Sequence, residues 1–307
     1  MIAQLKRWSK ALPYPLFLRL FYLVYGTREV RTAKRALRRT GIPLLQREAL
    51  LACKKSDVLF VLGSGPSINQ ITADRWQAIA RHDSLALNFW VLHPFVPSFY
   101  LFESIEQSEF PRAAQIMLEA FARRAEDYRD TVKVAMEVHR HGRQMVEELP
   151  AAFRENLYAA LSLPAPARTE RELEYALRYL ANAGVFDTDR NYSRLLKYAA
   201  SITTALTVAA KLRYKSVVFC GVDLRDQRYF FQDRDLFPDT ADLSFLPRAE
   251  PHDTNVALEW RLPSEQVIQM LKRVVLDPAG IELYVENLNS ALYPALPEAP
   301  AAVFSPV

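Results

Sequence analysis

Two glycines, Gly63 and Gly65, bracket a serine where an apolar run stops in VLFVLGSGPSIN, residues 58–69. The chain has eight glycines in 307 residues, so two within three positions mark a backbone held open. Glycine lets a ligand's phosphate or sugar approach the main chain. Ser67, just past Pro66, can cap the next helical turn while N–H groups face an anion. The stretch Gly63-Ser64-Gly65-Pro66-Ser67 is not a Walker A loop, which needs a lysine, nor G-x-G-x-x-G, which needs a third glycine. A ligand loop and a tight structural turn are both compatible with it.

Polar residues close other apolar runs: Asn88 in LALNFW, Glu103 in YLFES, Gly221 and Asp223 in FCGVDL, and Asn287, Asn289 and Ser290 in VENLNSAL. Ligands of open α/β sheets bind at the carboxyl ends of strands, so such a set would ring a polar organic ligand. Any one of these residues is equally a turn former. Among five histidines, His252 in AEPHDTN lies in a loop close to these ends and is the general-base candidate. His139 and His141 fall in a basic helical stretch, and His82 and His93 flank strands. Arg225 and Tyr229 follow the Gly-Val-Asp end and can reach a phosphate. Asp233-Arg234-Asp235 has a metal-binding form but sits away from any strand end, so no metal is expected. Cys53 and Cys220 fit no metal or redox spacing.

These residues need strands to carry them. DVLFVLG, SLALNFW, SFYLFE, TVKVAME, SVVFC and IELYVEN are short apolar runs, as expected of strands buried on both faces. Helical spacing is expected in TADRWQAIARH and over 113–130, 142–163, 201–213 and 263–276. Alternation of the two predicts an α/β fold with a doubly wound, mostly parallel, Rossmann-like sheet. Segments 164–200 and 225–255 are expected to be lid-like, the first a Pro-rich connector into a helical excursion. The main α/β domain then spans 51–307.

Residues 1–50 differ in character. They hold eleven Lys or Arg against Glu29 and Glu48, a balance of +9 that leaves the remainder at −5. Trp8, Tyr14, Phe17, Phe21, Tyr22 and Tyr25 are interleaved with this charge. A basic amphipathic extension suits an anionic membrane surface, or packing on the domain or a partner subunit. No run reaches the roughly 20 residues of a spanning helix, and the start is a poor signal peptide. Nothing resembles a nucleic-acid module.

The motifs VLFVLGSGPSINQI, LALNFW, KLRYKSVVFCGVDL, PHDTN and LYVENLNSAL occur in an order and spacing that resemble bacterial CMP-sialic acid-dependent sialyltransferases of the Campylobacter type, glycosyltransferase family 42. The resemblance spans roughly 56–297. It implies a GT-A-like variant of the Rossmann-like fold and an inverting, metal-independent transfer from a CMP-activated keto-sugar to a cell-surface glycan such as lipopolysaccharide or capsule. Ser64, Gly65 and Pro66 would lie against the donor, with serine where the family has asparagine at 64. Asn88 would contact the donor, Ser201 the sugar carboxylate (Thr203 and Thr204 if the register slips), and Asn289 and Ser290 the cytidine side. His252 would be the base. The family's phosphate-binding tyrosine pair is absent, and Arg225 with Tyr229 stands in its place. No cofactor besides the donor is implied. A cytoplasmic protein, peripheral at the inner face of the inner membrane, would follow, with assembly as a homo-oligomer left open. Two other readings compete: a Mg-dependent pyrophosphokinase-like enzyme using Asp223 and Asp226, and a degenerate binding protein of glycan assembly.

Overall fold

In the computed structural model, which describes residues 12–105, 107–108, 110–138, 143–186, 192–238, 240, 253–258 and 261–304, the apolar runs become the strands of one sheet. They are β1 (Val58–Leu62), β2 (Asp83–Leu87), β3 (Phe99–Glu103), β4 (Val132–Met136), β5 (Leu157–Pro164), β6 (Arg194–Lys197), β7 (Ser216–Cys220) and β8 (Glu282–Val285). The order is β6-β5-β4-β3-β2-β1-β7-β8, and every pairing is parallel. The chain winds outward from β1 through β6, then returns to the other side of β1. The order therefore reverses between β1 and β7, where doubly wound sheets take ligands. This is the Rossmann-like α/β architecture.

Two strands depart from the sequence expectation. The spacing predicts helix over 142–163 and a helical excursion over 170–200. The helices in the first segment are short, Arg143–Glu147 and Ala151–Arg154, and LYAALSLP forms β5. Alanine and leucine favour helix intrinsically, but burial on both faces removes the two-residue alternation that would have identified a strand. The excursion holds a real helix, Glu170–Asn182, with Thr169 capping Glu172 N–H, and then the four-residue edge strand β6. It belongs to the sheet.

Side chains alternate through the sheet, so each face has its own core. Leu59, Val61, Leu85 and Leu101 pack on one face against the helices Glu170–Asn182, Ile202–Lys211 and Ser264–Leu271. Phe60, Leu62, Ala86 and Phe102 pack on the other, against Ala73–Ala80 and Pro111–Arg123.

The described part of the basic N-terminal region is dominated by a 27-residue helix, Tyr14–Thr40, stopped by Gly41 in the left-handed conformation. Its aromatic stripe faces the domain. Phe17, Phe21 and Tyr25 are buried, Tyr22 stacks on Tyr179, Tyr22 Oη donates to Pro164 O at 2.9 Å, and Tyr25 Oη donates to Ser162 O. Leu45 N–H then bonds Ala159 O at 2.9 Å, joining this region to β5. Trp8 lies outside the described residues. Among those described, no helix is long and apolar enough to cross a membrane.

Candidate functional site

The glycine-rich turn opens on the chain's other tight strand end. Gly63 N–H donates to Cys220 O and Gly65 N–H to Gly221 O, both at 2.8 Å. A Cβ on Gly63 would overlap the Gly221 carbonyl, and one on Gly65 the Asp223 carboxylate. Gly221 itself has φ 65°, where glycine is at home. Three of the eight glycines thus let β1 and β7 end side by side at the reversal point.

Asp223 locks this junction. Its carboxylate accepts from Ser67 Oγ at 2.6 Å, Ser67 N–H at 3.1 Å and Asn287 Nδ2 at 3.2 Å. Ser290 Oγ donates to Val222 O at 2.7 Å, and Ala291 N–H to Asp223 O at 2.8 Å. Ser67, Asn287 and Ser290 therefore serve to hold the wall.

Above the junction lies a cleft of about 440 Å³. Gly63, Ser64, Gly65, Asn88, Glu103, Ser201, Gly221, Asp223 and Tyr229, nine residues singled out in the sequence, line it together. Asn88 and Ser201 stand 113 positions apart yet join at 3.2 Å, Nδ2 donating to Oγ. Ser201 Oγ donates onward to Glu103 Oε1 at 2.6 Å, and Lys197 Nζ holds Glu103 Oε2 at 2.7 Å. Asn88 Oδ1 accepts Glu103 N–H at 3.2 Å, while Tyr100 Oη fixes the Asn88 carbonyl. Ser201 also precedes the Ile202–Lys211 helix, whose positive end therefore opens on the cleft.

Backbone conformation concentrates here as well. Asn88 (φ 51°), Ala199 (φ 62°) and Leu224 (φ 58°) are non-glycine residues in the left-handed region, and all line the cleft. Asparagine tolerates that region; alanine and leucine are held there by their surroundings, at a cost of order 1–3 kcal/mol each.

Several expected residues fall elsewhere. Pro66, Ser67, Thr203, Asn289 and Ser290 do not line the cleft. Thr203 Oγ1 bonds backbone carbonyls, including Ala200 O at 2.9 Å, and Asn289 is exposed. Arg225 is exposed and outside the lining; Arg228, three residues on, lines it and pairs with Asp226 at 2.5 Å. A one-residue shift in a strand end changes which side chain points inward, and the sequence cannot set that phase in an irregular segment. Lys197 was missed with β6, although a lysine closing the run RLLK repeats the pattern that identified Glu103.

The start of the expected 225–255 flap is anchored. Phe230 N–H donates to Ser64 O at 2.9 Å, Asn69 Nδ2 donates to Phe230 O at 2.9 Å, and Phe230 and Phe231 are fully buried. Asp233 accepts from Asp235 and Leu236 N–H, so its carboxylate shapes a turn. Among the described residues no cluster of His, Cys, Asp and Glu has a metal-holding arrangement.

His252 lies outside the described residues, as do His139 and His141. Thr254, two positions after His252, lines the cleft. The remaining histidines are structural. His93 is pushed down to about 3 by burial, with the Arg124 guanidinium adding to it, and packs on Trp76, Trp90 and Phe230. His82 contacts Ser56 Oγ at 2.8 Å and Val303 O at 3.2 Å.

No family model matches the chain, and neither does any curated protein. Among solved structures it is similar to the MAf glycosyltransferase from Magnetospirillum magneticum AMB-1, at 15% identity and a TM-score of 0.43, over 85% of this chain and 36% of that one. The chain thus spans about a third of that protein's length.

Proposed function

We propose that the chain is an inverting, metal-independent glycosyltransferase that moves sialic acid or a related keto-sugar from a CMP-activated donor to a cell-surface glycan. The observation that carries this reading is the Asn88–Ser201–Glu103 chain of hydrogen bonds, joined in one cleft to the open Gly63–Gly65 backbone. Asn88, Ser201 and the Gly63–Gly65 turn fall in the stretches at which the sequence resembles a CMP-sugar enzyme, and Glu103 joins them as a strand-end carboxylate. The amide, hydroxyl and helix N-terminus suit a sugar carboxylate or a phosphate.

His252 is the base in this proposal. Thr254, two positions after His252 in the chain, lines the cleft. The acceptor oxygen attacks the anomeric carbon, its proton passes to the imidazole, and the bond to the CMP phosphate breaks with its electron pair leaving on phosphate. Arg228, in place of Arg225, acts with Tyr229 to stabilise that developing charge.

The pyrophosphokinase-like alternative needs Asp223 and Asp226 for magnesium. Asp223 is engaged by Ser67 and Asn287, and Asp226 by Arg228, which favours the metal-free reading. Thermal-shift titration separates the readings. CMP without Mg²⁺ is expected to raise Tm, and His252→Ala to abolish transfer while leaving CMP affinity within about twofold, since the base does not hold the nucleotide. A shift with ATP and Mg²⁺ alone would favour the phosphokinase, and no nucleotide response a binding protein.

We further infer peripheral contact with an anionic membrane. Arg19, Arg31, Lys34, Arg35, Arg38 and Arg39 are exposed along the Tyr14–Thr40 helix, beside Leu16 and Leu23, 47% and 63% exposed. With the aromatic stripe buried, attraction is electrostatic. The chain is expected to sediment with phosphatidylserine vesicles at low salt, and to be released by salt or by Arg31→Glu/Arg35→Glu. Equal binding to neutral vesicles would remove the idea.

A further inference from the structure

A second recess, of about 280 Å³, opens beside the cleft over the carboxyl ends of β3 to β6. It shares Glu103, Lys197 and Ala199 with the cleft, so the Glu103–Lys197 ion pair is the partition between two chambers. Ser104, Glu137 and Ser162 complete its polar lining. Ser104 and Ser162 are 6% and 3% exposed, and their hydroxyls have no hydrogen-bond partner among the described residues.

A buried hydroxyl without a partner costs about 1–3 kcal/mol, so two lining one recess call for a ligand that supplies the bonds. Glu137 (φ 59°) and Ala199 (φ 62°) hold the rim in the left-handed region, a strain that accumulates at binding sites. The chemistry of the lining limits that ligand. Two hydroxyls and two carboxylates accept from ligand O–H groups, and one ammonium donates. Among the described lining residues the one cation, Lys197, is held by Glu103, which leaves no described cation over to bind an anion.

We propose that this recess is the subsite for a neutral, hydroxyl-rich sugar: the acceptor glycan, seated across the Glu103–Lys197 partition from the donor. The assignment rests on the glycosyl-transfer reading above. The two chambers meet where an acceptor hydroxyl must reach the donor's anomeric carbon.

Saturation-transfer NMR on the full chain tests it, with glucose, galactose, N-acetylglucosamine and lactose as probes at millimolar concentration and with CMP calorimetry in parallel. At least one sugar is expected to bind. Ser104→Ala/Ser162→Ala should weaken it roughly tenfold, the loss of one or two hydrogen bonds. The Tm of that variant should be unchanged or raised, since no protein bond is removed. Ser162→Leu, which fills the recess, should abolish the signal, and galactose 1-phosphate should bind more weakly than galactose. No binding by any of the four sugars, undiminished binding in both variants, stronger binding of the phosphorylated sugar, or a large drop in Tm for the alanine pair would each overturn the proposal. CMP keeps the two readings apart. Sugar binding without CMP binding leaves the recess standing and removes the donor, whereas CMP binding without sugar binding removes the recess alone.

Discussion

The two ends of the sheet's carboxyl edge handle polar groups in opposite ways. At the β1–β7 junction, Asp223, Ser67, Asn287 and Ser290 are bonded to one another or to backbone, and glycines let the strand ends touch. Over β3 to β6, Ser104 and Ser162 keep buried hydroxyls without partners among the described residues, beside a half-open ion pair. The first end is saturated and serves as the rigid wall; the second retains bonding capacity for something else. Substitutions at the saturated end should therefore be felt as stability, and those at the other as activity.

The largest stability effect is expected from Gly63→Ala. Its Cβ meets the Gly221 backbone, which cannot rotate away as a side chain could. Overpacking of that kind costs about 3 kcal/mol, which lowers Tm by roughly 6–10 °C for a chain of this size. Scanning calorimetry would show it. Gly26, mid-helix with open space where a methyl would point, is the control: Gly26→Ala should be stabilising by about 0.5–1 kcal/mol. A Gly63→Ala protein as stable as the parent would mean that the two strand ends are not closely apposed.

Next is Asp223→Asn. Ser67 N–H and Oγ and the Asn287 amide all donate to this carboxylate, and an amide in its place would turn a donor toward donors. A loss of about 2 kcal/mol is expected, read as a lower midpoint in urea with unchanged slope. A stable Asp223→Asn protein that fails only in catalysis would transfer Asp223 from the wall to the chemistry, and revive the magnesium alternative.

The same division decides what the sequence disclosed. Around β1 and β7 the signals are local: VLFVL and SVVFC are β-branched, aromatic and leucine-rich runs, and glycine at 63, 65 and 221 announces a close approach. Among the described residues, six of the eight strands were legible from such runs, and polar residues at strand ends pointed to most of the cleft lining, while Ser201 came from the family resemblance alone. β5 and β6 were not, because LYAALSLP carries helix-favouring residues and no alternation, and RLLK is four residues at an edge. With them went Lys197 and the recess. Hydrogen-bond saturation was equally hidden: Ser67 and Ser104 are alike in the sequence, and only tertiary structure shows that one hydroxyl is occupied while the other has no partner among the described residues.

The smallest stability effect, and the sharpest contrast, is expected from Glu103→Gln. Glu103 and Lys197 side chains are 34% and 26% exposed, so their ion pair is worth at most about 1 kcal/mol after solvent screening. Glutamine keeps the shape and can still accept from Ser201, but it no longer holds the ammonium with a charge. Lys197 then loses its fixed position between the two chambers. Transfer should fall at least about tenfold, the cost of one misplaced charged hydrogen bond, while Tm stays near that of the parent. Donor hydrolysis by water should fall less, because water needs no seating across the partition. If Glu103→Gln instead lowered Tm as much as Asp223→Asn, Glu103 would belong to the structural wall, and the distinction between the saturated and unsaturated ends would fail at the residue that joins them.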